Sequence, residues 1–194
     1  MRLSGGVARG IPLVVPPGDR VRPATDGMRQ AVFSSLAALV PGATCLDLFA
    51  GTGSYGLEAL SRGSARVVFV ERNPKAIACL RRNLAAVERS LGTPLEAAGR
   101  AVIVAGDATT FTPANEVPDL VFIDPPYELI PELAPALFAR LATLLAPKPD
   151  AVVVLEYPGE LELAPEGWVL RKRLGHGARQ PTAGFFRRQP PLSP

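Results

Sequence analysis

Histidine is nearly absent from this chain: His176 is the only one, set in the Gly-rich basic stretch Gly175-His176-Gly177-Ala178-Arg179. It reads as a loop residue rather than a catalytic base. The two cysteines, Cys45 and Cys79, stand alone in apolar sequence with no CxxC and no histidine at ligand spacing. They are expected to be buried free thiols in a reducing compartment, with neither disulfide nor metal, and no motif offers a cysteine for covalent attack. No apolar run approaches the roughly 18 residues that would span a bilayer, and Met1 to Arg20 lacks the apolar stretch and cleavage site of a signal peptide, so a cytoplasmic protein is expected. Acidic residues are missing from the last 27 positions.

What is present suits one compact domain. At 194 residues, 47% hydrophobic and 20% charged, the chain can bury a real core, and a second full domain does not fit comfortably. Its net charge of +3 is unevenly spread: +3 over residues 1–30, −6 over 31–167 and +6 over 168–194. An acidic middle suits a cationic small ligand and basic ends suit a polyanion, although charged ends are also what solvated tails look like. Arginine outnumbers lysine eighteen to three, a bias that a GC-rich genome also produces and that carries no functional weight by itself.

The first 24 residues, rich in Gly, Pro and β-branched side chains, predict a short extended arm or hairpin. A helix follows, capped by Thr25 or Asp26, with Met28, Val32, Leu36 and Val40 at helical spacing and Pro41-Gly42 as its stop. Strand and helix patterns then alternate. Strands are expected over Thr44 to Leu48, Arg66 to Val70, Ala101 to Ala105, Leu120 to Ile123 and Ala151 to Glu156. Helices are expected over Tyr55 to Arg62, Pro74 to Arg89 and Pro131 to Leu145. The strands contain continuous apolar runs (VVFV, VIV, LVFI, VVVL), the mark of a sheet covered on both faces. Regular alternation predicts an open, doubly wound parallel sheet. Trp168 to Leu174 and Ala183 to Arg188 form a closing antiparallel hairpin that makes seven strands, and Trp168 and Phe185-Phe186 read as core. Arg81-Arg82 reads as a solvated helix face. The domain is expected to divide into arm and helix (1–40), core (41–188) and a frayed tail (189–194).

Chemistry concentrates where strands end. The first strand runs into Asp47-Leu48-Phe49-Ala50-Gly51-Thr52-Gly53-Ser54-Tyr55-Gly56. Glycines there let backbone approach a ligand, and the next helix offers free N–H groups. The Gly51-x-Gly53-x-x-Gly56 spacing also fits a dinucleotide site or a purely structural turn. The acidic residues discriminate. Asp47 precedes the glycines, Glu71 ends the second strand where it can accept both ribose hydroxyls, and Asp107 follows the third where it can face an adenine amino group. An anionic diphosphate is poorly served by Asp47, whereas a sulfonium with an amino-acid tail is well served. S-adenosyl-L-methionine is therefore favoured over NAD.

The fourth strand ends in Asp124-Pro125-Pro126-Tyr127. An exocyclic amine is a poor nucleophile because its lone pair is delocalised into the ring. Asp124 can accept one of its N–H groups, and the Pro125 carbonyl, freed because consecutive prolines forbid regular pairing, can accept the other. Tyr127 can stack on a base drawn from its surroundings. Positioning of the amine in line with the methyl group would then supply most of the rate.

These residues together resemble the RsmD family of bacterial methyltransferases. The resemblance runs through Arg2-Leu3-Ser4-Gly5-Gly6 with Arg9-Gly10, Arg22-Pro23-Ala24-Thr25-Asp26 with Arg29 and Phe33, and Asp47-Leu48-Phe49-Ala50-Gly51-Thr52-Gly53. It continues through Gly56-Leu57-Glu58-Ala59-Leu60-Ser61-Arg62-Gly63, Val70-Glu71, Gly106-Asp107-Ala108 and the Asp-Pro-Pro-Tyr run. The N-terminal elements are its specific part, and Gly27, Ser34 and Leu174-Gly175-His176-Gly177 depart from the pattern. The resemblance implies a Rossmann-like class I S-adenosylmethionine-dependent methyltransferase that modifies the N2 amine of a guanine in small-subunit (16S) rRNA. It implies a cofactor set of Asp47, Phe49, Gly51, Gly53, Glu71, Arg72, Asp107, Ala108 and Asp124, and a catalytic set of Asp124, Pro125 and Tyr127. It further implies a basic arm (Arg2, Arg9, Arg20, Arg22, Arg29) on RNA, with the substrate in assembled or partly assembled 30S particles. A monomer without membrane or metal partners is expected. Two other readings remain open: an adenine-N6 nucleic-acid methyltransferase, which the Asp-Pro-Pro-Tyr run suits equally, and a non-catalytic RNA-binding ribosome-assembly factor. A dehydrogenase would lack a hydride-site base and leave that run unexplained.

Overall fold

Five apolar runs, linked by helices except between the third and the fourth, pair in parallel, and two further strands close the sheet by antiparallel pairing. In the computed structural model, which describes residues 1–16, 25–113, 116–175, 177 and 180–189, the strands are β1 (Thr44–Leu48), β2 (Arg66–Glu71), β3 (Ala101–Ala105), β4 (Leu120–Ile123), β5 (Val152–Pro158), β6 (Trp168–Leu174) and β7 (Pro181–Arg188). The helices are α1 (Thr25–Ser35), α2 (Ser54–Ser61), α3 (Pro74–Leu91) and α4 (Ile130–Leu144). Expectations placed on Arg20, Arg22, His176 and positions 190–194 lie outside the described residues. Gln189, expected to begin the frayed tail, donates its N–H to the Gly167 carbonyl at 2.8 Å.

Strand order is β3-β2-β1-β4-β5-β7-β6. The chain winds outward from β1 through β2 to β3, then returns to lay β4 and β5 on β1's other side. The crevice between β1 and β4 is the point where such sheets bind ligands. One apolar cluster joins α1, α2 and α3 to one face through Phe33, Leu57, Leu80 and Phe122. The other packs α4, Trp168 and Phe186 beneath Val121 and Val153. Both faces are thus covered, which is why the parallel strands are built on continuous apolar runs. Trp168 satisfies its indole N–H on the Phe138 carbonyl at 3.2 Å. Cys45 and Cys79 are both buried, and Arg81 and Arg82 are exposed. Among the described residues no helix is long and apolar enough to cross a membrane.

Element boundaries moved where partners decided them. β5 extends to Pro158 because β7 pairs with it as far as Pro158↔Pro181, a contact that hydropathy along one strand does not reveal. α1 stops at Ser35 rather than at Val40. Leu39 donates to the Leu36 carbonyl three residues back and Val40 to the same oxygen, and Pro41 has no N–H with which to continue the ladder. The capping role expected of Thr25 falls on a side chain outside the described residues, and Asp26 has two partners of its own. Its carboxylate accepts from the Arg2 backbone N–H at 3.2 Å and from the Arg29 guanidinium at 2.8 Å.

The N-terminal arm is a hairpin. Arg2 bridges Pro12, Leu3 donates to Ile11 and Leu13 donates to Met1. It lies against α2 and α3, with Leu3, Ala8 and Leu13 buried. Its polar groups meet those helices: Ala8 donates to the Ser61 hydroxyl at 2.9 Å, and Asn83 exchanges two bonds with the Val14 backbone.

The close seating of α2 on the sheet depends on Gly56. A Cβ there would stand 2.2 Å from the Phe69 ring and 2.8 Å from Val67, both fully buried. Gly56→Ala is expected to cost about 1–3 kcal/mol, the usual penalty for overpacking a tight core, read as a fall in the urea midpoint at unchanged slope.

Candidate active site

The turn after β1 is held by backbone strain and carboxylates together. Phe49 adopts φ 59, a left-handed conformation rare outside glycine. Gly53, at φ 86, precedes α2, and a Cβ on it would meet Leu80 at 2.2 Å. Gly51 donates its N–H to Glu71 Oε2 at 2.8 Å, so the end of β2 braces the glycine turn. Glu71 Oε1 accepts from the Asn73 N–H at 2.7 Å. Each oxygen of this carboxylate retains a second lone pair for a ligand hydroxyl.

Asp47 is placed differently from the expectation. Its side chain is buried and Oδ2 accepts the Gly56 N–H at 2.8 Å, so it ties the first turn of α2 to β1 and does not line the cavity. Burial pushes its carboxyl up to about 8, opposed by the Gly56 N–H and assisted by the charge of Glu71. Near neutral pH much of this group is therefore protonated. A largely neutral Asp47 does not by itself select a sulfonium over a diphosphate.

Asp107 sits at the end of β3, where Thr109 donates both its N–H and its hydroxyl to Oδ1 at 2.8 Å. Those hydrogen bonds, with Arg72 4.0 Å from Oδ2, hold its carboxyl below the usual aspartate value. It remains an anionic acceptor at the mouth of the crevice.

On the other side of the switch point stand Asp124 and Pro125, and two residues of the same cavity wall, Glu156 and Tyr55, were not among the expected site residues. Glu156, at the carboxyl end of β5, is 2% exposed. It accepts from the Tyr55 hydroxyl at 2.8 Å through Oε2 and from the Tyr127 hydroxyl at 3.2 Å through Oε1. Tyr55 stacks on Phe122 with ring centroids 5.4 Å apart, and burial, then the charges of Glu156 and Asp124, keep its hydroxyl protonated well above the usual tyrosine range. The available signal was positional: VVVL runs into Glu156 as VFV runs into Glu71 and LVFI into Asp124. Tyr127, expected to face a base, instead has its ring partly buried against the α4-side core while its hydroxyl is engaged with Glu156.

Arg29 is also corrected. Expected as an RNA contact, it is 1% exposed. Its guanidinium bonds the Arg2 carbonyl, Asp26 at 2.8 Å and Glu58 at 3.4 Å, because a buried cation requires charged partners. It contributes to the cavity wall from within. Arg2 and Arg9 are exposed on the hairpin.

A cavity of about 540 Å³ opens along this edge, in the size range of small-molecule sites. Of the expected residues, Phe49, Gly51, Glu71, Arg72, Asp107, Ala108, Asp124 and Pro125 line it, joined by Arg29, Tyr55 and Glu156. Asp47, Gly53 and Tyr127 act from behind. Among the described residues no group of three or more His, Cys, Asp or Glu is placed to hold a metal ion.

Comparison with known proteins is consistent with this arrangement. The family described as Conserved hypothetical protein 95 matches residues 1–182. The Ribosomal RNA small subunit methyltransferase D of Escherichia coli K12 is 38% identical over 128 residues, 66% of this chain and 60% of that protein, so the match spans less than two thirds of the relative's length. Its namesake in Haemophilus influenzae is 31% identical over 176 residues, 89% of this chain and 86% of the relative. Among solved structures, a hypothetical protein of Thermus thermophilus superposes with TM-score 0.68 at 29% identity, covering 97% of this chain and 99% of its own. The rRNA methyltransferase aviRa of Streptomyces viridochromogenes, at 18% identity and TM-score 0.69 over 95% of this chain and 92% of its own, shares the fold.

The Asp47 carboxyl makes a test of the turn. The folded state holds its proton more tightly than the unfolded chain, so this group favours folding most below its unfolded value of 3.8 and loses that contribution as the pH climbs to about 8. Asp47→Asn, an isostere with no charge to bury, is expected to gain on the wild type in melting temperature progressively from pH 5 to pH 8, with the gap level above that.

Proposed function

Because the chain belongs to the RsmD family, described as Conserved hypothetical protein 95, we propose that it methylates the exocyclic N2 amine of a guanine in small-subunit rRNA, with S-adenosyl-L-methionine as donor. The observation that carries the reading is the meeting, in one cavity at the β1/β4 switch point, of the glycine turn, Glu71 and Asp107 on one side with Asp124 and Pro125 on the other.

The residues suit such a cofactor. Glu71 offers acceptors to ribose hydroxyls, Asp107 with Ala108 an acceptor and an apolar wall to adenine, and the turn at Phe49 to Gly51 a close backbone approach. Bound there, the sulfonium would supply an activated methyl group. The chain's own work is to prepare the nucleophile. Asp124 and the Pro125 carbonyl accept the two amine N–H groups and turn the lone pair toward the donor. Asp124 or water takes the proton shed after transfer. Tyr127 supports this floor through Glu156, and Arg2 and Arg9 meet the RNA backbone from the hairpin. In this reading residues 1–194 act as one monomeric cytoplasmic domain on assembled or partly assembled 30S particles.

The test is incubation with labelled S-adenosylmethionine and small subunits from a strain lacking the activity, beside naked rRNA and DNA, followed by mass analysis of the nucleosides. Label is expected as N2-methylguanosine in the particles, reduced about 10²-fold or more by Asp124→Ala. N6-methyladenosine would establish the adenine reading instead, and tight RNA binding without label would establish a non-catalytic assembly factor.

A further inference from the structure

The cations at the C-terminal end take no part in the site described above. Residues 168–194 hold six Lys or Arg and no Asp or Glu, and three of the six, Arg171, Lys172 and Arg173, stand in succession on β6. β6 is the outermost strand of the sheet and pairs on one side only, with β7. A register shift between Leu170 and Lys172 leaves Arg171 as the extra residue of a bulge, the device that re-aims a side chain at a sheet edge. All three cations are exposed. Lys172, opposite Phe185 of the α1-side core, turns to that face and donates to the Ser35 hydroxyl at 2.8 Å. Arg173, opposite Gly184, turns the other way, donates to the Gly159 carbonyl and lies over the Tyr157 ring.

Those partners are neutral, so the three charges stay uncompensated. Among the described residues none of the three forms an ion pair, whereas Arg62, Arg66, Arg81 and Lys148 each do. The acids closest in sequence, Glu160, Glu162 and Glu166, belong to the β5–β6 connection, whose Leu161 and Leu163 pack against the α4-side core. A bulge or one lysine is enough to blunt an edge strand against pairing with another sheet. Three adjacent like charges repel one another in the free protein, a cost that a polyanion offsets.

Strand order puts this edge on the side of the cavity where Asp124 stands. β6 lies three strands beyond β4, roughly 14 Å at the usual strand spacing, and away from β2 and β3, whose ends carry Glu71 and Asp107. Its carboxyl end is tied to the cavity wall by one row across the sheet: Leu174 pairs with Ala183, and Ala183 with Glu156. We propose that Arg171, Lys172 and Arg173 form a second binding surface for RNA phosphates, engaging the backbone beyond the target base while Arg2 and Arg9 hold it from the hairpin. The inference rests on the rRNA-methyltransferase reading above and adds a surface that the basic arm does not supply. Phosphate contacts of this kind fix register and affinity and leave base choice to the cavity.

The readout is the salt dependence of binding to small ribosomal subunits from a strain lacking the activity, measured as Kd between about 50 and 200 mM KCl. Each phosphate contact contributes roughly 0.7–0.9 to the slope of log Kd against log[KCl]. Arg171→Gln combined with Lys172→Gln is expected to lower that slope by about 1.4–1.8 and to weaken binding about tenfold or more near 100 mM. Arg81→Gln combined with Arg82→Gln removes the same charge from the exposed face of α3 and is expected to leave the slope as it is. An unchanged slope in the β6 pair reduces those cations to edge protection, and an equal loss in both pairs reduces them to bulk charge; either result overturns the proposal. A second measurement needs no variant. In the wild type, Lys172 is expected to lose reactivity toward an amine-acylating reagent when subunits bind, while Lys148, paired with Asp119, keeps its own. Undiminished reactivity of Lys172 on saturated subunits also overturns the proposal. Failure of the underlying reading is separately visible, as the absence of N2-methylguanosine from wild-type reactions on the same subunits.

Discussion

Four donors converge on the buried carboxylate of Glu58, and the placement of everything N-terminal to the sheet depends on it. Ser4 gives its N–H at 2.8 Å and its hydroxyl at 2.7 Å, while Arg29 and Arg62 supply the compensating charge. One side chain of α2 thereby holds the hairpin, α1 and its own last turn. Removing one member of such a group leaves a charge buried without its partner, at about 3–5 kcal/mol. Because α2 is itself pressed onto β1 and β2 through Gly56 and Asp47, the chain of support runs from the sheet to the wall of the cavity.

That support sorts the carboxylates into two kinds. Asp47 serves the backbone, and its burial makes it a weak anion near neutral pH. Glu71 and Asp107 brace turns yet remain open to the crevice, so their backbone duties also aim them. Asp124 and Glu156 lie past the switch point, where β4 and β5 leave β1. A doubly wound sheet gives this division without special devices. Strand ends on both sides of the switch point face one crevice, the place where such sheets bind ligands. The proposed roles follow that partition.

Most of the scaffold was legible because its code is local. Apolar runs four to six residues long separated by helical periods specify a sheet buried on both faces, and β1, β3, β4 and β6 fall where hydropathy alone puts them. Several boundaries shifted by one or two residues, and the larger shifts came where a non-local partner or a missing N–H intervened, as at β5 against β7 and at α1 before Pro41. Glycine spacing and the Asp-Pro-Pro-Tyr run were likewise readable, since each needs a special backbone at one point in the chain.

Side-chain direction was the part sequence could not carry. Arg29 looked like any arginine of a basic arm, but three partners from hairpin, α1 and α2 draw it inside. Asp47 looked like a ligand anion and became a helix anchor. Glu156 looked like the end of a strand, 101 residues from Tyr55 in the chain. By itself the sequence determined the order of strands and helices, the cofactor-type turn and the family, because these depend on patterns within short stretches. Only the tertiary structure decided which charges are buried, which face the cavity and which pair with each other, because desolvation and hydrogen bonding are set by neighbours that arrive from distant segments.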